Sequence, residues 1–223
     1  MSVILAIPDI HCPFLHKQKV KKMLDMIPEI DPTHIVILGD SYDMYSFSKF
    51  PRSLNIMTPQ DEILAARACM EDIWGAIAKH SPNSRKYQLK GNHSTRINKR
   101  LIEKFPEFES LLDIDHLWKF RGVSTIQDDK DELIINGISF IHGHFTKLGD
   151  HVRQMNRSVV VGHSHRPGVF YLNRDDKTLF ELNCGYLADP YHKALIYRPM
   201  KNYFDWTHGF GIIDKLGPRF VHL

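Results

Sequence analysis

The 223-residue chain has only three cysteines, Cys12, Cys69 and Cys184, at unrelated spacings. So few, and an odd number, argue against a disulfide framework and for a reducing compartment. No window approaches the roughly 20 consecutive apolar residues of a membrane-spanning helix. The N-terminal run Ser2 to Ile7 is apolar, but no basic segment precedes it, and Pro8-Asp9 end it too early for a signal peptide. Charge of one sign is also scarce: 29 Lys and Arg stand against 26 Asp and Glu, and the formal +3 and pI of about 8.7 fall short of a dedicated nucleic-acid binder. An anionic substrate is allowed by this balance without being demanded. Internal repeats, low-complexity tracts and linkers are all lacking. The expectation is one soluble, cytoplasmic domain over residues 1–223, with enough chain to bury a sizeable core.

What is present is a series of short apolar runs that alternate with helical patterns. Ser2 to Ile7 and Thr33 to Leu38 read as strands covered on both faces. Between them, Val20, Met23, Leu24 and Ile27 share one face of a helix from Lys17 that Pro28 and Pro32 should close. The aromatic stretch Ser41 to Asn55, with Tyr42, Tyr45, Phe47 and Phe50, has no period and reads as a loop. Thr58-Pro59-Gln60-Asp61-Glu62 supplies an N-cap, a proline at N1 and first-turn acids, so a helix is expected from Pro59 to about His80. A strand around Tyr87 to Leu89 follows. Helical patterns cover Ser94 to Lys104, continuing in face to Phe105, and then Glu107 to Trp118. From Val123 onward the texture is β, with hairpins at Asn136-Gly137 and at 173–177, a short helix within Thr146 to Asn156, and closing strands at Phe210 to Ile213 and Phe220 to His222.

The ends of these runs deliver an ordered set of polar residues: Asp9-x-His11, Gly39-Asp40-x-x-Asp43, Gly91-Asn92-His93, His142 and Gly162-His163-x-His165. Loops that leave one edge of an α/β sheet converge, so these groups can meet. Carboxylate, imidazole and amide oxygen together suit borderline divalent metals. Seven ligands exceed one tetrahedral ion but suit two ions about 3.5 to 4 Å apart that share a carboxylate. One ion would take Asp9, His11 and His165, the other Asn92, His142 and His163, with Asp40 between them. His163 and His165, at i and i+2 after Ser158 to Val161, are expected on the same side of an extended backbone, one serving each ion.

This set resembles the signature of the calcineurin-like metallophosphoesterase superfamily: D-x-H, G-D, G-N-H and G-H-x-H with a further histidine between the last two, here covering Asp9 to His165. The resemblance implies an α/β fold of two mixed β-sheets packed as a sandwich and flanked by helices in four layers. It implies a dimetal-dependent phosphoesterase that hydrolyses a phosphate ester by attack of a metal-bridging hydroxide. Manganese is the expected metal, with iron, zinc or nickel suited to the same ligands. It also implies that His93 protonates the leaving group and that Asp43 orients His93. The protein-phosphatase branch has Arg-Gly after the second Asp and Glu after G-N-H. Here Met44-Tyr45 and Ser94 stand in those places, which disfavours a protein Ser/Thr phosphatase. The closing segment Trp206 to Gly211 is similar to that of small stand-alone phage and bacterial members.

Several assignments have two readings. Arg96 and Arg100, one turn apart after His93, fit either contacts to substrate phosphate or a solvated basic face, and Arg166 is in the same position. The aromatics from Tyr42 to Phe50 fit base stacking or, more simply, core packing. Cys12 reads as a small buried residue beside the first ligand pair, with oxidation sensitivity as a possible consequence. His144 can line the site, while the remaining histidines read as structural or surface. On function, a nuclease or nucleotide phosphodiesterase is the nearest rival, with a nucleotide or nucleic acid as its partner. A non-catalytic interaction scaffold is the alternative of a different class, disfavoured because no ligand position is lost.

Overall fold

The computed structural model describes residues 2–49, 56–104, 106, 114–126, 132–195 and 205–223. Two mixed sheets form its middle. The first has six strands in the order β11-β10-β1-β2-β3-β4, and the second has five in the order β5-β6-β7-β9-β8. In the first sheet β1 (Ile4–Ile7), β2 (His34–Ile37), β3 (Arg85–Leu89) and β4 (Val123–Ile126) run parallel. Here β10 (Gly209–Asp214) pairs antiparallel with β1, and β11 (Gly217–His222) closes the edge. In the second sheet, β6 (Ile138–Phe140), β7 (Val159–Val161) and β9 (Thr178–Asn183) are parallel, with β5 (Leu133–Ile135) and β8 (Gly168–Asn173) antiparallel at the edges.

Alternation along β1 explains the layering. Ile4 and Ala6 face the second sheet and share a core with Val36, Leu38, Phe140, Val160 and Leu182. Leu5 and Ile7 face the other way, onto helix α1 (Lys17–Ile30) through Val20, Met23 and Ile27, and onto helix α2 (Pro59–His80) through Ala66, Met70 and Ile77. The outer face of the second sheet meets helix α4 (Asp150–Met155) through Val152, Val159 and Val161. The layers are therefore helix, sheet, sheet, helix, the architecture implied by the resemblance.

Most element expectations hold. Helix α2 starts and stops where its caps indicate: Thr58 Oγ1 accepts from the Asp61 N–H and Pro59 occupies N1. Asn136 and Gly137 take φ of 53° and 77°, the left-handed pair that a tight hairpin between β5 and β6 needs. Helix α3 (Arg96–Lys104) lies within the expected span. One expectation is corrected. Pro28 does not close α1 but lies inside it, and the helix ends at Ile30 with Asp31 as a left-handed C-cap. In the last turn the proline forfeits one bond, while Met23 and Ile27, both fully buried, hold the helix on the sheet. Phe50, Phe105 and most of the helix expected from Glu107 to Trp118 lie outside the described residues. Its described end is a 3-10 turn at Asp115–Trp118. Among the described residues no helix is long and apolar enough to cross a membrane.

Candidate metal centre

All five polar loops leave the carboxyl ends of parallel strands, β1, β2 and β3 in one sheet and β6 and β7 in the other. Each short strand stops where the chain must turn sharply. Asp9, His11, Asp40, His163 and His165 all adopt positive φ, between 37° and 67°. Asp and His tolerate this region better than branched residues, and strain of this kind gathers at functional sites. The expectation that His163 and His165 share one side of an extended strand is corrected here, because β7 ends at Val161 and the left-handed turns separate the two rings.

The rings accordingly join different clusters. His165 Nε2 lies 3.5 Å from Asp9 Oδ1, with His11 Nε2 4.0 Å from the same oxygen. His163 Nδ1 lies 3.0 Å from Asn92 Oδ1 and 3.3 Å from His142 Nε2. His142 Nε2 is in turn 2.9 Å from Asn92 Oδ1 and 3.2 Å from Asp40 Oδ2. Asp40 sits between the two groups, close enough to His11 on one side and to Asp9 and His142 on the other to share an ion with either. All seven side chains expected as ligands are thus brought together.

The donor set fits cations. His11 Nδ1 donates to Asp43 Oδ2 at 2.9 Å, so a neutral His11 turns a lone pair on Nε2 to the site, and that buried nitrogen has no hydrogen-bond partner among the described residues. His142 Nδ1 donates to the Leu38 carbonyl at 3.2 Å, so a neutral His142 likewise turns a lone pair toward Asn92 Oδ1 and Asp40. Histidine ligands whose other nitrogen is held by a carboxylate or carbonyl are the usual support around a metal.

The carboxylates are fixed by backbone. The His163 N–H donates to Asp9 Oδ2 at 2.9 Å, and the His93 N–H to Asp40 Oδ1 at 2.8 Å. Gly162 and Gly91 make this possible, since a Cβ at either would overlap the Asp9 or Asp40 carboxylate. Burial pushes the Asp9 carboxyl up, but His165 and His142 outweigh it and hold it below its ordinary range. Burial opposes ionisation of Asp40 too, yet His142 and His93 keep it well below. Burial also works against a charge on His142, but Asp40 lifts that imidazole to about 9. Burial, followed by the neighbouring His142, pushes His163 down to about 4.

Asp43 and Arg96 both stand against His93, and Asp43 against His11 as well. The hydrogen bond of Asp43 goes to His11, while His93 Nδ1 lies 3.3 Å from the same Oδ2 without alignment for a hydrogen bond. Arg96 turns inward, donating to the Asp43 carbonyl at 3.0 Å and to Asp43 Oδ1 at 3.2 Å, with Nη2 2.8 Å from His93 Nε2. Burial holds His93 below its ordinary value despite Asp40 and Asp43. Arg100 is more exposed, 3.7 Å from Glu103, and lines a cavity of about 250 Å³ with Asn92, Arg96 and Lys99. Arg166 pairs with Asp205. His144 does line the site, on the wall of a cavity of about 590 Å³ beside Asn92, His142 and His163. Tyr42 is buried, its hydroxyl donating to Leu117 O at 2.6 Å, which is the packing reading.

Other contributors carry no sequence signature. Asn183 Nδ2 donates to Gly162 O at 3.0 Å and Ser164 Oγ at 2.8 Å, bracing the turn that carries His163. Tyr186 stacks on His165 at 4.9 Å and Trp206 meets its edge at 4.2 Å. Glu181 accepts from the Val152 N–H at 3.1 Å and lies 3.3 Å from His151 Nδ1, while His151 Nε2 accepts from the backbone of His144 and Phe145 just beyond His142. A glutamate two-thirds of the way along an ordinary strand gives no hint of this.

No family model matches the sequence, and no curated protein matches it. Solved structures do. A single-substitution variant of Vps29 from Entamoeba histolytica has a TM-score of 0.45 at 15% identity, covering 95% of this chain and 85% of that one. Vacuolar Protein Sorting 29 from Cryptosporidium parvum has a TM-score of 0.47 at 15% identity over 95% of this chain and 84% of its own. Nuclease MPE from Pseudomonas putida has a TM-score of 0.38 at 17% identity over 81% of this chain and 71% of its own. At these scores the likenesses do not bear on activity, and the buried Asp and His groups stand as a possible metal site on their own geometry.

Proposed function

We propose that the chain is a dimetal-dependent phosphoesterase. The observation that carries the reading is the convergence of metal-ligating atoms in a buried pocket: His11 Nε2 without a hydrogen-bond partner among the described residues, and His142 Nε2, Asn92 Oδ1, His163 Nδ1 and Asp40 Oδ2 gathered within hydrogen-bond distances. Asp9, His11 and His165 would hold one cation, Asn92, His142 and His163 the other, and Asp40 would touch both. Two divalent ions there would supply Lewis-acid polarisation of a phosphoryl group and make water a stronger acid. Manganese suits the ligands, as do iron, zinc and nickel.

The chain's own groups do the rest. His93 Nε2 faces the site, 4.0 Å from Asp40 Oδ2, and accepts from Arg96 Nη2 at 2.8 Å. Once Arg96 turned to a phosphoryl oxygen, His93 Nε2 would take up a proton from solvent and pass it to the leaving-group oxygen. Arg96, touching that nitrogen and bonded to Asp43, keeps a positive charge where a phosphoryl oxygen would lie. The cavity beside His142 and His144 gives the ester's alcohol portion room.

The test is hydrolysis of p-nitrophenyl phosphate and its bis-ester by metal-stripped protein reconstituted with defined ions, followed by single-stranded DNA and a nucleotide panel. Turnover that depends on the ion supports the reading, and preference among these substrates separates phosphatase from nuclease or nucleotide phosphodiesterase. Asp40→Asn and His93→Ala should each cut turnover by at least roughly a hundredfold with the fold retained. Tight metal binding without hydrolysis of any of these esters would leave the scaffold reading in its place.

A further inference from the structure

We propose that Cys12 and Cys69 form a disulfide site that responds to peroxide and fastens helix α2 to the loop carrying His11. Their Sγ atoms are 2.8 Å apart although the residues are separated by 57 positions, one just past β1 and the other midway along α2. A disulfide needs about 2.05 Å, so the sulfurs must close by about 0.8 Å. The third cysteine, Cys184, lies apart in the core between the sheets.

The two thiols are not equivalent. Cys12 is fully buried, whereas Cys69 is partly exposed at the margin of the helix-covered core. Peroxide therefore meets Cys69 first. The Cys69 thiolate attacks one peroxide oxygen, the O–O bond breaks, hydroxide leaves and Cys69 becomes a sulfenic acid. The Cys12 sulfur then attacks the Cys69 sulfur, the S–O bond breaks, and the thiol proton departs with the hydroxide as water. Two thiols lose two electrons and one hydrogen peroxide becomes two waters.

The consequence reaches the candidate metal loops through the backbone. The Cys12 N–H donates to Ser41 O at 2.8 Å, and the Asp43 N–H donates to Cys12 O at 3.0 Å. A bond at Cys12 thus anchors both the His11 loop and the Asp40–Asp43 loop to α2.

The experiment treats the purified full chain with equimolar hydrogen peroxide, then reads intact mass, non-reducing peptide maps and hydrogen exchange. The expected result is a mass about 2 Da lower, a linked peptide pair containing Cys12 and Cys69, and reversal by dithiothreitol. Exchange at peptides spanning 11–16 and 41–47 should slow at least about fivefold in the oxidised form. Cys69→Ser should abolish the linkage, and should that variant fail to fold, Cys184→Ser must retain it. Oxygen added to Cys69 without a linkage, a bond between two chains, or loss of the linkage in Cys184→Ser would each overturn the site. A linkage that leaves exchange in both loops unchanged would overturn the fastening.

Discussion

Asp43 shows how one side chain can stand between two imidazoles, His11 Nδ1 at 2.9 Å and His93 Nδ1 at 3.3 Å from the same oxygen. The resemblance makes it the orienter of His93, but its hydrogen bond is spent on His11 at 2.9 Å, and its second oxygen on Arg96 at 3.2 Å. Burial would raise its pKa, yet the neighbouring His93 and the hydrogen bond from His11 hold it far below the carboxylate range, so it stays ionised and keeps His11 Nδ1 protonated. The two roles are separable by measurement. If Asp43 acts through His11, Asp43→Ala frees the imidazole to rotate and should weaken manganese binding by about 10- to 100-fold in calorimetric titration. If it acts only through His93, turnover falls while the metal affinity stands. The convergence of the seven candidate ligands was legible because each follows an apolar run and belongs to a short list of metal-binding types. The contact of Asp43 with His11 was not, because spacing along a chain says nothing about which nearby imidazoles a carboxylate will meet once three loops converge.

Elements succeed or fail as predictors according to how local their causes are. The limits of α2 could be read because Thr58, Pro59 and Asp61 act within one turn. The end of α1 could not, because Met23 and Ile27 are anchored by strands that a periodicity argument does not see. The same helix α2 carries a buried acid that no pattern explains. Glu62, fully buried, accepts from the backbone N–H groups of Tyr45 and Ser46, the latter at 2.7 Å, and so caps a short 3-10 turn at Tyr45–Phe47, just past Asp43. Glu62→Ala strands both donors and should cost about 1 to 3 kcal/mol in chemical denaturation. Glu181 anchors the other side, joining β9 to α4 and, through His151, to the loop after His142. Burial pushes its carboxyl up, but the bond to His151 and the Val152 N–H outweigh this and hold it below 4.5. A folded pKa below the unfolded one means its stabilising contribution is present above about pH 4.5 and drains away as pH falls through the folded value. Glu181→Gln should therefore lower the denaturation midpoint at pH 7, and its deficit against the unmodified chain should shrink below pH 4.5. A constant deficit across that range would show that the carboxylate's charge is irrelevant.

Across the whole molecule, the strands, helices and hairpins were legible in order, but their division into two sheets came only from the resemblance carried by the polar blocks, because which strands pair is decided by contacts such as those β1 makes on its two faces. What a sequence cannot display is the concentration of unfavourable local choices at one edge. Five residues adopt left-handed backbone there, acids and imidazoles are buried together, and glycines admit carboxylates where any side chain would exclude them. Each of these choices opposes folding, so the rest of the molecule must offset them. The packed core between the sheets does so in part, and ligation of the converging lone pairs would do so directly, since cations bound only by the folded chain stabilise it by mass action. At a free ion concentration about 100 times Kd, that amounts to roughly 2.7 kcal/mol for one site, which in a chain of this size corresponds to a rise in melting temperature of about 5 to 10 °C. Scanning calorimetry of the protein in manganese against the same protein in chelator should show that rise, and Asp40→Asn should abolish most of it because that residue is shared by both clusters. An unchanged melting temperature at saturating manganese would mean that the edge does not bind it, and the strain collected there would need another cause.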